Sequence, residues 1–368
     1  MTRPRVAVVG GGIAGVSIAY ELSAEADVVL LEQEGQLAYH TTGRSAAMYL
    51  QTYGNAVVRA LTVASRPDFD RIQREFDTPP LLTPVQLLWI ADEPSRPHLA
   101  ELLESAPPMR EITTKSALEM CPALRPERLA AAGLDTSAME IDVPSLHQAY
   151  VRGLLARKGE VRRSAPLLEI DRDIDGLRAL TPDGWLKADF IVNAAGAWAD
   201  RIAVMAGVES VGLRPLRRTI FTSPVSWPTP IDSWPFISDA GERFYFKAEH
   251  DQVLVSPADE VPDEPRDVKP EEADIAKTLE IVNEYTTLQL KSVRAAWAGL
   301  RSFVADRSPV VGSRPGEDGF FWFAAQGGYG IQMGPALARA GASLLLHDSL
   351  PEDIAALGVK TGSLLPMR

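Results

Sequence analysis

Apolar residues in this chain come in short runs, and several of those runs are closed by glycine. Arg5 to Val9 (RVAVV) is rich in β-branched residues and ends at Gly10, which predicts a buried strand and a tight turn. Apolar positions at helical spacing follow to about Ser23, and Asp27 to Leu31 (DVVLL) predicts a second buried strand. Together they make a βαβ unit. Two later stretches repeat the texture. In KADFIVNAAGAWADRIAVMAG the run Phe190 to Val192 precedes Gly196 and a helix. In GFFWFAAQGGYGIQMGPALARAGASLLL an apolar strand leads through Gly327, Gly328 and Gly330 to a helix covering Ala336 to Leu346. Units so widely spread predict one sheet assembled from discontinuous segments, with another domain between them.

The intervening blocks look different. Residues 81–92 (LLTPVQLLWIAD) and 243–255 (RFYFKAEHDQVLV) are strand-like, and prolines crowd 223–236. SPADEVPDEPRDVKPEEAD is acidic and proline-rich, which predicts a solvated loop without a chemical role, running into a helix from Ile275 to Leu288.

Composition narrows the function. With 46% hydrophobic and 23% charged residues over 368 positions, the chain reads as a folded protein of two domains. Its formal charge of −12 leaves no basic excess to displace counterions from a nucleic acid, which excludes that partner class. A single cysteine, Cys121, permits neither an internal disulfide nor a multi-cysteine metal site, and it reads as a small buried hydrophobe. The five histidines show no metal-ligand spacing, so no metal is expected. The opening MTRPRVAVVGGG fits neither a signal peptide nor an integral membrane segment, and with the lone cysteine it points to the cytoplasm; peripheral contact with a membrane surface stays compatible.

Gly10, Gly12 and Gly15 form GxGxxG between strand and helix, a Rossmann-type signature. The first allows the tight turn, the second lets backbone approach a pyrophosphate, and the third lets the helix pack closely on the sheet. Glu32 ends the second strand, where a carboxylate can accept ribose hydroxyls and repels a 2′-phosphate, which disfavours NADP. The motif alone leaves NAD and FAD open. In GQLAYHTTGRSAAMYLQTYGN, the small and hydroxyl residues Thr42, Ser45, Ala46 and Ala47 offer close backbone approach, and Arg44 adds a positive charge. This segment resembles the stretch that lies along pyrophosphate and flavin in D-amino-acid-oxidase-like flavoproteins. Thr41 or Thr42 is also expected to cap a local helix.

Across nearly the whole chain, HTTGRSAA, VNAAGAWAD, AGLRSFVAD and AAQGGYGIQ, in this order, resemble the FAD-dependent D-amino acid dehydrogenases and oxidases, with bacterial D-arginine dehydrogenase the nearest likeness. The resemblance implies an α/β fold: a Rossmann-type FAD-binding domain from 1–80, 140–208 and 303–368, beside an α+β substrate domain from 81–139 and 209–302 with an antiparallel sheet. It implies non-covalent FAD held by Gly10, Gly12, Ile13, Ala14, Gly15, Glu32, Gln33 and the Thr42–Ala47 segment. Ala195, Gly196 and Trp198, and then Gly327, Gly328, Tyr329, Gly330, Ile331 and Gln332, complete that set. The helix after Gly330 is expected to aim its N-terminus at the flavin pyrimidine.

Carried over position by position, the resemblance makes Arg301 the partner of a substrate carboxylate, with Arg218 and Tyr245 at the same end of the pocket and Tyr53 on a mobile covering loop. Gly328 and Gln332 match contacts near the amine and flavin. The implied reaction is oxidative deamination of a D-amino acid by hydride transfer from Cα to flavin N5, with no essential histidine; the imino acid hydrolyses to a 2-oxo acid and ammonia. The electron acceptor is left open, a quinone or another carrier included. Three positions depart from D-arginine dehydrogenase: Leu87 replaces an acid, Met48 a histidine and Leu50 a threonine. These predict a preference for apolar or aromatic side chains over D-arginine. A glycine or sarcosine oxidase of the same fold, an NAD-dependent dehydrogenase and a flavin-binding protein without turnover remain as alternatives.

Overall fold

Strand β1 (Arg5–Val9) lies inside a six-stranded sheet ordered Val310–Gly312, Phe320–Ala324, Phe190–Asn193, β1, β2 (Asp27–Leu31) and Glu160–Arg162. Every neighbouring pair is parallel except Val310–Gly312 with Phe320–Ala324. The computed structural model describes residues 3–105, 108–173 and 176–367. Both faces of β1 are covered, which accounts for its unbroken apolar run. Val6 and Val8 pack with Ile18 of helix α1 (Ile13–Leu22) and Leu337 of helix Gly334–His347. Ala7 and Val9 join Leu177 and Ala179 from an antiparallel sheet of Glu169–Asp173, Gly176–Thr181 and Gly184–Ala188, an element absent from the sequence expectation.

The close approach of α1 to the sheet depends on Gly15. A Cβ there would lie 1.7 Å from the Gly10 carbonyl oxygen. The helix has no side-chain cap of its own; instead Ile13 N–H donates to Thr42 Oγ1 at 3.0 Å. Thr41 and Thr42 therefore do not cap a local helix as expected. Thr41–Arg44 is a short 3-10 turn without a side-chain cap, and Thr41 Oγ1 donates to Leu300 O. The loop before α1 is braced from below, because buried His147 places Nε2 3.0 Å from Gly11 O. That oxygen is an acceptor, so Nε2 carries the proton.

The second large sheet has nine strands. Its path runs Val261–Pro262, Arg214–Pro224, Gln252–Ser256, Tyr245–Glu249, Phe236–Asp239, Leu87–Ala91, Ala131–Asp135 and Met109–Ile112, and Ala295–Phe303 pairs with Arg214–Pro224 off that path. It is antiparallel apart from the pair Phe236–Asp239 with Leu87–Ala91. Cys121 is buried, and burial pushes its thiol up to about 12, as suits a packing role.

The acidic segment is mostly exposed irregular backbone, as expected, but it has structural partners that its sequence did not suggest. Strand Val261–Pro262 joins the edge of Arg214–Pro224, and several of the segment's carboxylates are paired. Asp259 accepts from Thr219 N and Thr219 Oγ1, Asp267 pairs with Arg44 at 2.6 Å, and Glu271 and Asp274 pair with buried Arg217. The helix that follows is Glu272–Tyr285, starting and ending three residues earlier than expected because its acidic first turn suits a helix N-terminus.

Two outcomes follow from this packing. Gly15→Ala forces helix and strand apart and lowers stability by about 1–3 kcal/mol, measured by urea unfolding. Burial pulls the His147 pKa below the ordinary value, so the unfolded chain takes up that proton first as pH falls through about 6.5. Its contribution is complete above that pH and is lost below it. Comparing urea midpoints near pH 7.5 and near pH 5.5, His147→Gln removes a slope of up to about 1.4 kcal/mol per pH unit while keeping a donor for Gly11 O.

Candidate active site

In the pairing of Arg214–Pro224 with Ala295–Phe303, Arg301 lies opposite Leu216 and Arg218 opposite Gly299. Directly opposed residues, and those two apart on one strand, share a face of a sheet. Arg218 and Arg301 therefore project to the same side, and Arg217 to the other, where Asp259, Glu271 and Asp274 neutralise it. The two arginines face one cavity of about 950 Å³.

Arg301 is 8% exposed. Its Nη1 donates to Tyr53 Oη at 3.4 Å and its Nη2 to Glu260 Oε1 at 2.5 Å, while its Nε is buried without a partner. The chain thus does not saturate this guanidinium by itself. Tyr53 meets Tyr329 edge to face at 5.0 Å. Tyr245 stacks on Phe236 with 5.3 Å between ring centroids, and the Arg218 guanidinium carbon sits 5.9 Å from the Tyr245 centroid. The turn carrying Tyr53 is tied to the one carrying Arg307 through Asn55, which caps helix α2 (Ala56–Phe76) and donates to Asp306 O and Ser308 Oγ. On this side the cavity wall is aromatic and cationic.

Glu260 and Arg307 were missed in the sequence. The carboxylate of Glu260 receives two bonds from Arg307, at 2.8 and 3.0 Å, besides that of Arg301, and Arg218 Nη2 lies 3.6 Å away. Burial by itself would raise this carboxyl, but the guanidiniums of Arg307, Arg301 and Arg218 hold it below the ordinary carboxylate range. The available signal was charge complementarity between SPADE and the arginines of PLRRTIF and AGLRSFVADR. No spacing rule joins segments so far apart.

Beyond the arginines the wall turns apolar. Leu87, Trp89 and Phe236 form a buried cluster against which Met48, Leu50 and Tyr245 pack, and all six line the cavity. The three positions that depart from D-arginine dehydrogenase thus come together. Gly328 lies against the anchor: a Cβ on it would meet Arg301 Nη1 at 2.7 Å.

Two side chains play other parts than expected. Gln332 is 3% exposed, and its amide is spent on Leu50 N, Leu50 O and Thr62 Oγ1, so it pins the Leu50 backbone instead of reaching toward an amine. Arg44 lends no free charge to a pyrophosphate: its guanidinium binds Asp267 and the carbonyls of Tyr39, Val268 and Ala298. The helix after Gly330 begins only at Gly334, and Ser65 Oγ takes the N–H of Ala336.

At the other part of the cavity the residues fit a dinucleotide. Gly12, Ile13 and Ala14 bring the N-terminus of α1 to the wall, where backbone N–H groups favour an anion. Gly15 does not line the cavity, and its part is packing. Glu32 is 8% exposed and accepts Gly11 N and Glu34 N, one on each oxygen, which leaves further lone pairs for ribose hydroxyls. Gln33 lies beside it, and Thr42, Ser45, Ala46 and Ala47 continue the wall. Ala195, Gly196 and Trp198 join from the third strand unit, with Trp198 against the His40 ring at 4.6 Å. Gly327, Tyr329, Gly330 and Ile331 close the wall. Among the described residues no group of histidine, cysteine, aspartate and glutamate could hold a metal ion, and no helix is long and apolar enough to cross a membrane.

Known proteins agree with this geometry. The DAO family profile, described as FAD dependent oxidoreductase, matches residues 5–344. Human dimethylglycine dehydrogenase is 24% identical over 385 residues, covering 96% of this chain and 43% of that enzyme, so the chain spans less than half the length of that relative. Glycine oxidase of Pseudomonas putida is 23% identical over 93% of this chain and 94% of its own. The crystal structure of glycine oxidase from Geobacillus kaustophilus superposes with a TM-score of 0.83 at 21% identity, covering 97% of this chain and 99% of that one. The likeness therefore reaches the family and not D-arginine dehydrogenase in particular. On the matched profile, the shared fold and a cavity that fits the dinucleotide, the chain belongs to the DAO family of FAD-dependent oxidoreductases.

Proposed function

We propose that the chain oxidises the Cα–N bond of a small α-amino acid of D configuration with an apolar side chain, giving an imino acid that water converts to a 2-oxo acid and ammonia. The observation that carries this reading is the placement of Arg301 and Arg218 on one face, next to the wall of Leu87, Met48, Leu50 and Trp89. A planar guanidinium suits bidentate capture of a carboxylate. Bound FAD supplies the two-electron acceptor for the α-hydrogen. The chain holds the carboxylate at Arg301 and Arg218, shields it with Tyr53 and Tyr245, and steers an apolar side chain to the Leu87 wall. None of Arg301, Arg218, Tyr53 and Tyr245 is an evident strong base, which suits an amine that arrives neutral. Leaving a distal guanidinium against Leu87 and Met48 costs several kcal/mol, so D-arginine is a poor fit.

A second reading has comparable support. The relatives named glycine oxidase and dimethylglycine dehydrogenase favour glycine or an N-methylated glycine as substrate, with the same carboxylate anchor and the side-chain wall unused. Anaerobic bleaching of the flavin separates the two: D-leucine, D-methionine and D-phenylalanine act faster than glycine, sarcosine, dimethylglycine and D-arginine on the first reading, whereas glycine, sarcosine or dimethylglycine acts faster than any of the D-amino acids on the second. Arg301→Met raises KM at least about thirtyfold on either reading and leaves the flavin bound, since truncating one partner of a buried charged contact costs about 2–5 kcal/mol. An unchanged KM in that variant would overturn the anchor.

A further inference from the structure

The Glu260 carboxylate sits where an anion held jointly by Arg301 and Arg218 would sit. Oε1 is 2.5 Å from Arg301 Nη2 and 3.6 Å from Arg218 Nη2. Its firm partner is a third arginine. Arg307 holds both oxygens in a two-bond clasp, whereas Arg301 reaches only the oxygen that Arg307 already shares. The backbone around Glu260 is fixed: Asp259 is bonded to Thr219, and Val261 pairs with Arg217. Its side chain is freer, at 32% exposure against 10% for Arg301 and 12% for Arg218. Three guanidiniums lie within 4 Å of this one carboxylate, and Arg218 Nε also lies 4.0 Å from Asp259 Oδ1, so Glu260 can leave Arg301 and still be paired at Arg307.

We propose that Glu260 is a resident carboxylate that occupies Arg301 until the carboxylate of a ligand takes its place, whereupon Glu260 falls back on Arg307. It acts as a positioning residue that tunes how tightly the site takes an acid. It keeps the buried guanidinium of Arg301 paired between turnovers, which a low-dielectric site requires, and it opposes a ligand carboxylate by like charge at the same nitrogen. A ligand without a carboxylate has nothing to offer Arg301 in exchange. The inference rests on the reading of Arg301 as carboxylate anchor.

The test titrates propanoate into the FAD-loaded protein, following the flavin absorption change and the heat of binding. Wild type, Glu260→Gln, Glu260→Asp and Arg301→Met are compared. Glu260→Gln binds propanoate at least about tenfold tighter than wild type, because one pKa-unit-sized repulsion corresponds to that factor. Glu260→Asp keeps the charge but draws it back by one methylene, so it falls between the two; it decides the matter if the glutamine variant does not fold. If removing or shortening Glu260 leaves propanoate affinity unchanged or weakens it, while Arg301→Met abolishes binding, the exchange is wrong and the anchor stands. If propanoate binds Arg301→Met as well as wild type, or binds none of the proteins, the anchor and the exchange fall together.

Discussion

The site depends on the antiparallel register between Arg214–Pro224 and Ala295–Phe303. Sheet geometry turns two adjacent arginines to opposite faces, so one is consumed by a structural acid cluster and the other is delivered to the cavity. A slip of one residue would exchange them and would turn away the side chain that now faces the cavity. Along the opposite edge Arg214–Pro224 is held twice, by Phe221 to Pro224 against Gln252–Ser256 and by Leu216 and Arg217 against Val261–Pro262. The loop that supplies Glu260 is therefore the same element that locks the strand beneath it.

This arrangement also explains how an acidic chain keeps a cationic pocket. Most exposed ion pairs contribute little, but Arg217, Arg218 and Arg301 are largely buried, and nearby carboxylates offset the cost of burying their charge. The acidic segment supplies them in chain order: Asp259 and Glu260 at the strands, then Asp267 at Arg44, then Glu271 and Asp274 at Arg217. Negative charge that looks dispensable along the sequence is what allows positive charge inside.

Much of the nucleotide-binding half was legible because it is local. Strand, turn and helix lie within thirty-odd residues of one another, and both strands of the first unit, Arg5–Val9 and Asp27–Leu31, fall where the apolar runs place them. The half around the arginines was less so. That Arg301 and Arg218 share a face follows from pairing between distant segments, and Glu260 was hidden in a stretch whose prolines and acids resemble solvent-exposed coil. Gln332 and Arg44 were placed near the right cavity but with the wrong partners, since a motif fixes where a backbone runs and not which neighbour a long polar side chain meets. The single parallel pair in the nine-stranded sheet left no trace in the pattern at all.

The nucleotide cradle is assembled from the glycine turn near residue 10, the Ala195–Trp198 turn and the Gly327–Ile331 turn, and their strands are adjacent in the same sheet. β1 is paired on one side with Phe190–Asn193, and that strand in turn with Phe320–Ala324. A growing polypeptide leaving the ribosome thus carries a glycine motif that cannot close around its coenzyme until the distant Gly327–Ile331 turn has been translated. Contacts of such long sequence separation are slow to form, so the apolar faces of the early strands stay uncovered until their later neighbours emerge.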